Sequence, residues 1–130
     1  MTGTEARVSF EYFVVRYVPR VDRGEFVNVG VVLYSSELGF LGAAYDASEG
    51  RLRGFDPGVD LDAVRAALDT IVAICRADER VGPIALESAR NRFGWLSAPR
   101  STVVQPGPVH GGVTADPARQ LTHLLDCLVR

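Results

Sequence analysis

The stretch Val8-Ser9-Phe10-Glu11-Tyr12-Phe13-Val14-Val15-Arg16-Tyr17-Val18 decides how this chain folds. It is rich in β-branched and aromatic residues. In an extended conformation Val8, Phe10, Tyr12, Val14 and Val18 share one face, while Phe13, Val15 and Tyr17 share the other. Both faces turn apolar in the middle, so the pattern predicts a strand covered on each side and central to its sheet. Arg16, set between valines and aromatics, reads as a buried salt-bridge partner. Pro19 ends the strand.

Moving outward, Arg20 to Gly24 forms a loop into a second strand, Glu25 to Tyr34. There Val27, Val29, Val31 and Leu33 share a face, and Asn28 and Gly30 fall on the other as a polar notch. Ser35 to Gly39 is short enough for a hairpin turn, and Phe40 to Tyr45 reads as a third strand. Its Gly42, Ala43 and Ala44 leave room for a helix or another backbone to come close. Gly50 to Phe55 reads as one more short strand.

Asp60 is placed to cap a helix in which Leu61, Val64, Leu68, Ile71, Val72 and Cys75 recur at three- and four-residue spacing. Gly82-Pro83 opens a second helix, with Leu86, Ala89, Phe93 and Leu96 along one side. Asp116-Pro117 opens a third, carrying Leu121, Leu124, Leu125 and Leu128. Between the last two lies an irregular segment, Ser97 to Val113, in which Thr102 to Gln105 is the part able to add an edge strand. The expectation is an α+β fold of one domain spanning residues 1–130: an antiparallel N-terminal sheet of three to four strands packed against about three amphipathic helices.

Hydrophobic residues make up 47% of the chain and charged ones 23%, which is a globular profile. The net charge of −2 argues against nonspecific binding to nucleic acid or to anionic lipid. All 14 basic residues are arginine. Without lysine there is no Schiff-base amine and no phosphate-loop lysine, and every cation is a permanently charged fork suited to carboxylate or phosphate. Cys75 and Cys127 lack metal-ligand neighbours and read as buried thiols in a reducing compartment. No metal or cofactor is implied. The first residues lack an apolar signal core and no stretch is long enough for a membrane span, so the chain reads as cytoplasmic.

From Ser88 to Ala115 there is no Asp or Glu, while Arg90, Arg92, Arg100 and His110 all fall there among Trp95, Ser101 and Gln105. Such residues can hold an anionic or nucleotide-like ligand. Glu25 and Asn28, close in sequence to Arg16, Arg20 and Arg23, form a second polar group. The candidate ligand-binding set is therefore Glu25, Asn28, Arg92, Arg100, Ser101 and His110, and it makes one site only where the early sheet and the late loop meet. No catalytic signature is present, so two readings stay open. One is a non-enzymatic accessory or interaction protein; the other is a small enzyme or binding domain for a phosphorylated or nucleotide-like anion.

Two blocks carry a resemblance. Tyr12-Phe13-Val14-Val15-Arg16-Tyr17-Val18-Pro19 leads to Arg23-Gly24-Glu25-Phe26-Val27-Asn28-Val29-Gly30-Val31-Val32-Leu33. The other is Arg92-Phe93-Gly94-Trp95-Leu96-Ser97-Ala98-Pro99-Arg100-Ser101-Thr102-Val103-Val104-Gln105-Pro106 with Pro108-Val109-His110. Together they resemble the bacterial family called domain of unknown function 3037. The resemblance implies a small stand-alone bacterial protein and points to a protein partner, a HipA-type kinase or a toxin-antitoxin-like component. It implies no catalytic residue.

Overall fold

The computed structural model describes residues 6–130, so the reading of the extreme N-terminus lies largely outside the described residues. Strand β1 (Val8–Tyr17) runs through the middle of an antiparallel sheet. Strand β2 (Val27–Ser35) lies along one side of it, from Glu11 opposite Tyr34 to Tyr17 opposite Val27, and β3 (Phe40–Tyr45) pairs with the far side of β2. The turn between β2 and β3 closes on Gly39, whose φ of +59° is the left-handed conformation that glycine adopts without a Cβ penalty.

Two short strands share the other side of β1. Strand β4 (Val104–Pro106) pairs with Val15 to Tyr17, and β5 (His110–Thr114) pairs with Val8 to Tyr12. Between them the Gly107 amide donates to the Val14 carbonyl at 2.7 Å, which keeps the interrupted edge attached. The expected edge strand thus exists, moved to Val104–Pro106. Strand β5 was hidden because Gly111 and Gly112 carry no side-chain signal. The sheet has five strands where three to four were expected.

Four α-helices form where about three were expected: α1 (Glu49–Phe55), α2 (Leu61–Cys75), α3 (Ala89–Ser97) and α4 (Pro117–Leu128). Asp60 and Asp116 cap α2 and α4, accepting from the amides of Ala63 and Arg119. The segment read as a fourth strand is α1 instead. Leu52 is its one buried side chain, and Arg53 pairs with Glu49 one turn back, so helical spacing satisfies the segment where alternation would bury polar groups. The helix expected from Gly82 begins as a 3-10 turn, Pro83–Leu86, which a second such turn, Glu79–Val81, precedes, and it restarts at α3 with Ser88 accepting from the Asn91 amide. Leu86, expected on the apolar face, is 87% exposed.

The helices divide between the two faces of the sheet. On one face Phe13, Val15, Tyr17, Val29 and Val32 pack against Leu52 of α1, Leu61, Val64 and Leu68 of α2, and Phe93 and Leu96 of α3. The Phe93 ring sits 5.7 Å from that of Phe13 and 5.3 Å from that of Tyr34. On the other face Phe10, Val31 and Leu33 meet Leu121, Leu124 and Leu125 of α4. Close approach depends on Gly42, where a Cβ would fall 3.2 Å from Leu121 Cδ2. The doubly apolar β1 is thus covered on both sides, as its pattern predicts. No described helix is long and apolar enough to cross a membrane.

A β-bulge changes the notch expected at Asn28 and Gly30. Val15 lies opposite Gly30 but Arg16 lies opposite Asn28, so Val29 is the extra residue. The register shift puts Asn28 on the α4 face and turns Gly30 toward the α2 face, where sequence alternation placed them together. The Asn28 carbonyl freed at the bulge accepts from Arg51 Nη1 at 2.8 Å.

Tyr17 ties α1 to the sheet, its hydroxyl donating to Asp56 Oδ2 at 2.6 Å. Burial, followed by the hydrogen bond to the Asp56 carboxylate and its charge, pushes the phenol up to about 12. The unfolded phenol ionises near pH 10, so Tyr17's contribution is fully present below about pH 10 and is lost as the pH rises toward 12. Urea midpoints of the wild type should therefore fall more steeply across that alkaline range than those of Tyr17→Phe. Parallel profiles would remove Tyr17 as the cause.

Candidate functional site

The acid-free segment supplies its arginines mainly to backbone carbonyls. Arg92 Nη1 donates to the Ile74 and Cys75 carbonyls, each at 2.8 Å, and Nε donates to the Glu87 carbonyl at 3.1 Å. The Ile74 and Cys75 carbonyls close the C-terminus of α2, where a cation also meets the negative end of the helix dipole. Arg100 lies over the Trp95 ring, Cζ 4.5 Å from its centroid, and donates to the Trp95 carbonyl. Ser101 beside it is exposed and makes no side-chain hydrogen bond among the described residues. His110 opens β5, exposed, with its ring 5.4 Å from that of Tyr12 across the strand pair.

The early pair is held separately. Glu25 Oε1 pairs with Arg23 Nε at 2.9 Å in an exposed loop, in a depression with Pro19, Arg20, Phe55 and Asp56. Asn28 Nδ2 donates to the Leu128 carbonyl at 3.0 Å, fastening the end of α4 to the sheet. The two segments do touch, but through Arg16: Asn28 of β2 and Gln105 of β4 lie directly across from it on either side. Arg16, read as a salt-bridge partner, has no carboxylate within 4.0 Å among the described residues. The strand register puts apolar neighbours and amides around it.

A cavity of about 310 Å³ lies between α2 and the chain from Trp95 to Val104. Ala67, Thr70, Ile71 and Ile74 form its floor, Trp95 and Arg100 its lip, and Thr102, Val103 and Val104 its far wall. It includes Arg100 but none of Glu25, Asn28, Arg92, Ser101 or His110. Two of its hydroxyls are already engaged, Thr70 Oγ1 with the Ala66 carbonyl and Thr102 Oγ1 with the Val104 carbonyl. The walls are mainly apolar, with a cation and an indole at the opening, and the size falls at the lower end for sites that take small groups. Sequence patterning missed the floor because Ile71 and Ile74 repeat at the same spacing as core residues.

A family model described as "Protein of unknown function (DUF3037)" matches residues 12–129. The chain belongs to this family. No curated protein and no solved structure matches it. The blocks that carry the family resemblance supply β1, β2 and β4 around Arg16 and the Trp95–Val104 side of the cavity, while α2 supplies the rest of the lining in this DUF3037 protein.

No group of three or more His, Cys, Asp or Glu side chains converges as a metal site among the described residues. The two thiols differ, although both were expected to be buried. Burial pushes Cys75 up to about 12, against the pull of Arg92 and Arg76, whereas Cys127 is exposed on α4 with Sγ 3.6 Å from His123 Nε2. A thiol reagent at neutral pH should label one cysteine quickly, and peptide mapping should find it at Cys127. Early modification of Cys75 would contradict its burial. Arg92→Ala should lower stability by about 1–2 kcal/mol by stripping the α2 terminus of its donor, measured by denaturant unfolding. An unchanged midpoint would mean that water replaces the guanidinium without loss.

Proposed function

We propose that this DUF3037 protein is a non-enzymatic interaction module that receives an apolar side chain of a partner protein in the cavity between α2 and the Trp95–Val104 segment. The observation that carries this reading is the exposure of Trp95 and Val103, 49% and 46%, in the lining of an apolar hollow. Large apolar side chains left at the rim of a preformed pocket are the usual anchors of protein interfaces. Arg100 has no carboxylate partner among the described residues and is held flat on Trp95, ready for an acidic residue beside the inserted side chain. The lining brings no carboxylate, thiol or imidazole, which favours binding over catalysis.

A nucleotide-like ligand in the same cavity is the competing reading. Arg92 is committed to the end of α2, and His110 and Glu25 stand outside the lining, so a phosphate there would meet one guanidinium. A HipA-type kinase from the same host, which the family resemblance suggests, is the first partner to test.

Co-purification should recover the kinase with the wild type, and the emission of Trp95, the one tryptophan, should shift to the blue as it is covered. Trp95→Ala should weaken capture at least tenfold, about 1.4 kcal/mol, and Arg100→Ala by a smaller factor. Full capture by both variants would exclude the cavity as the interface. Saturable quenching of Trp95 by nucleotides would favour the competing reading.

A further inference from the structure

On the opposite face of the sheet, we infer that Arg16 is the anchor of an oxyanion-binding site. The observation is a contrast among the arginines. Arg51, Arg65, Arg92 and Arg100 each donate to backbone carbonyls. Arg23, Arg53, Arg80 and Arg130 each pair with a carboxylate. Arg20, Arg76, Arg90 and Arg119 do neither but lie exposed, whereas Arg16 does neither although it projects from the central strand of the sheet and is partly buried. Its Nε is the one side-chain nitrogen or oxygen among the described residues that is buried without a hydrogen-bond partner.

A guanidinium in that position is costly to leave uncompensated, because it has given up part of its hydration and gained no counter-charge. The surroundings fix its plane without neutralising it. The Phe26 ring lies 4.1 Å from Cζ, covering one side. The backbone of Gly107 forms another wall, so close that a Cβ there would fall 3.1 Å from both Cζ and Nε. Glycine at this position leaves room for the fork, and Gly107 is itself tied to Val14 of the same strand.

Asn28 and Gln105 flank Arg16 in register on the neighbouring strands, and strand alternation turns all three side chains to one face. Asn28 is held by the end of α4, whereas the Gln105 carboxamide has no hydrogen bond among the described residues. Helix α4 packs over β2 and β3 and leaves the β1–β4 part of this face without a helix. The buried Nε is closed off, so the terminal Nη pair is the part of the fork a ligand reaches. An oxyanion, carboxylate or phosphate, set against that pair takes two parallel N–H donors, with the Gln105 amide as a third. The site is independent of the Trp95 cavity.

The test uses the whole chain in chloride buffer, with inorganic phosphate or acetate added at constant ionic strength. Thermal unfolding and the Arg16 Nε–Hε resonance are followed together. The wild type should show a saturable rise in Tm and a saturable shift of that resonance with at least one anion, and the anion that acts tells phosphate from carboxylate. Arg16→Met keeps the aliphatic stem and removes the charge. It should melt at or above the wild type in chloride and lose the anion response, so that added anion narrows the gap between the two. Gly107→Ala, which crowds the fork, should weaken the response several-fold. The inference is overturned if neither anion gives a saturable effect in the wild type, or if Arg16→Met responds as the wild type does. Should Arg16→Met fail to fold, Arg16→Gln replaces it, with the same two outcomes.

Discussion

Everything in this fold hangs on β1 being enclosed on both edges and over most of both faces. Its backbone is paired on one side by β2 and on the other by β4 and β5 together. Phe13 and Val15 are almost wholly buried under α2 and α3, and Phe10 is covered from the other side by α4. A strand with apolar residues on both faces has no favourable place at the surface, so helices must cover it twice. Helix α4 does this by packing on the face that the first three helices leave open.

The absence of lysine has a structural consequence. A guanidinium can reach two carbonyls at once, and here Arg51 and Arg92 use that reach at a bulge and a helix end, while Arg65 holds the one Ala47 carbonyl with two of its nitrogens. Ordering a flexible side chain in this way carries an entropic cost, offset by charge-assisted hydrogen bonds in partly buried settings. A stretch rich in cations and free of acids therefore need not be an anion site, since carbonyl oxygens are present everywhere and compete for the same donors. Arg16 and Arg100 stand out because they meet aromatic rings and no carboxylate.

Those two arginines mark opposite faces of one edge of the sheet. Val104 points into the core beneath α2, while its neighbour Gln105 points to the face of Arg16, so the short strand β4 contributes to both features. The open edge of β5, with two glycines and no Asp, Glu or Arg, continues the same border.

The doubly apolar pattern of residues 8–18, the hairpin at Gly39 and the aspartate caps of α2 and α4 were legible from residues alone, because strand alternation, turn chemistry and capping act over a few bonds. The α+β class followed from them. Segment 50–55 reads as a strand because six residues with one buried leucine carry too little period to separate helix from strand. The bulge at Val29, strand β5, the capping role of Arg92 and the isolation of Arg16 depend on which distant segment lies alongside. Pairing partners, leftover helix carbonyls and the space beside Gly107 come into being only when residues far apart in the chain pack together, and no local pattern encodes them.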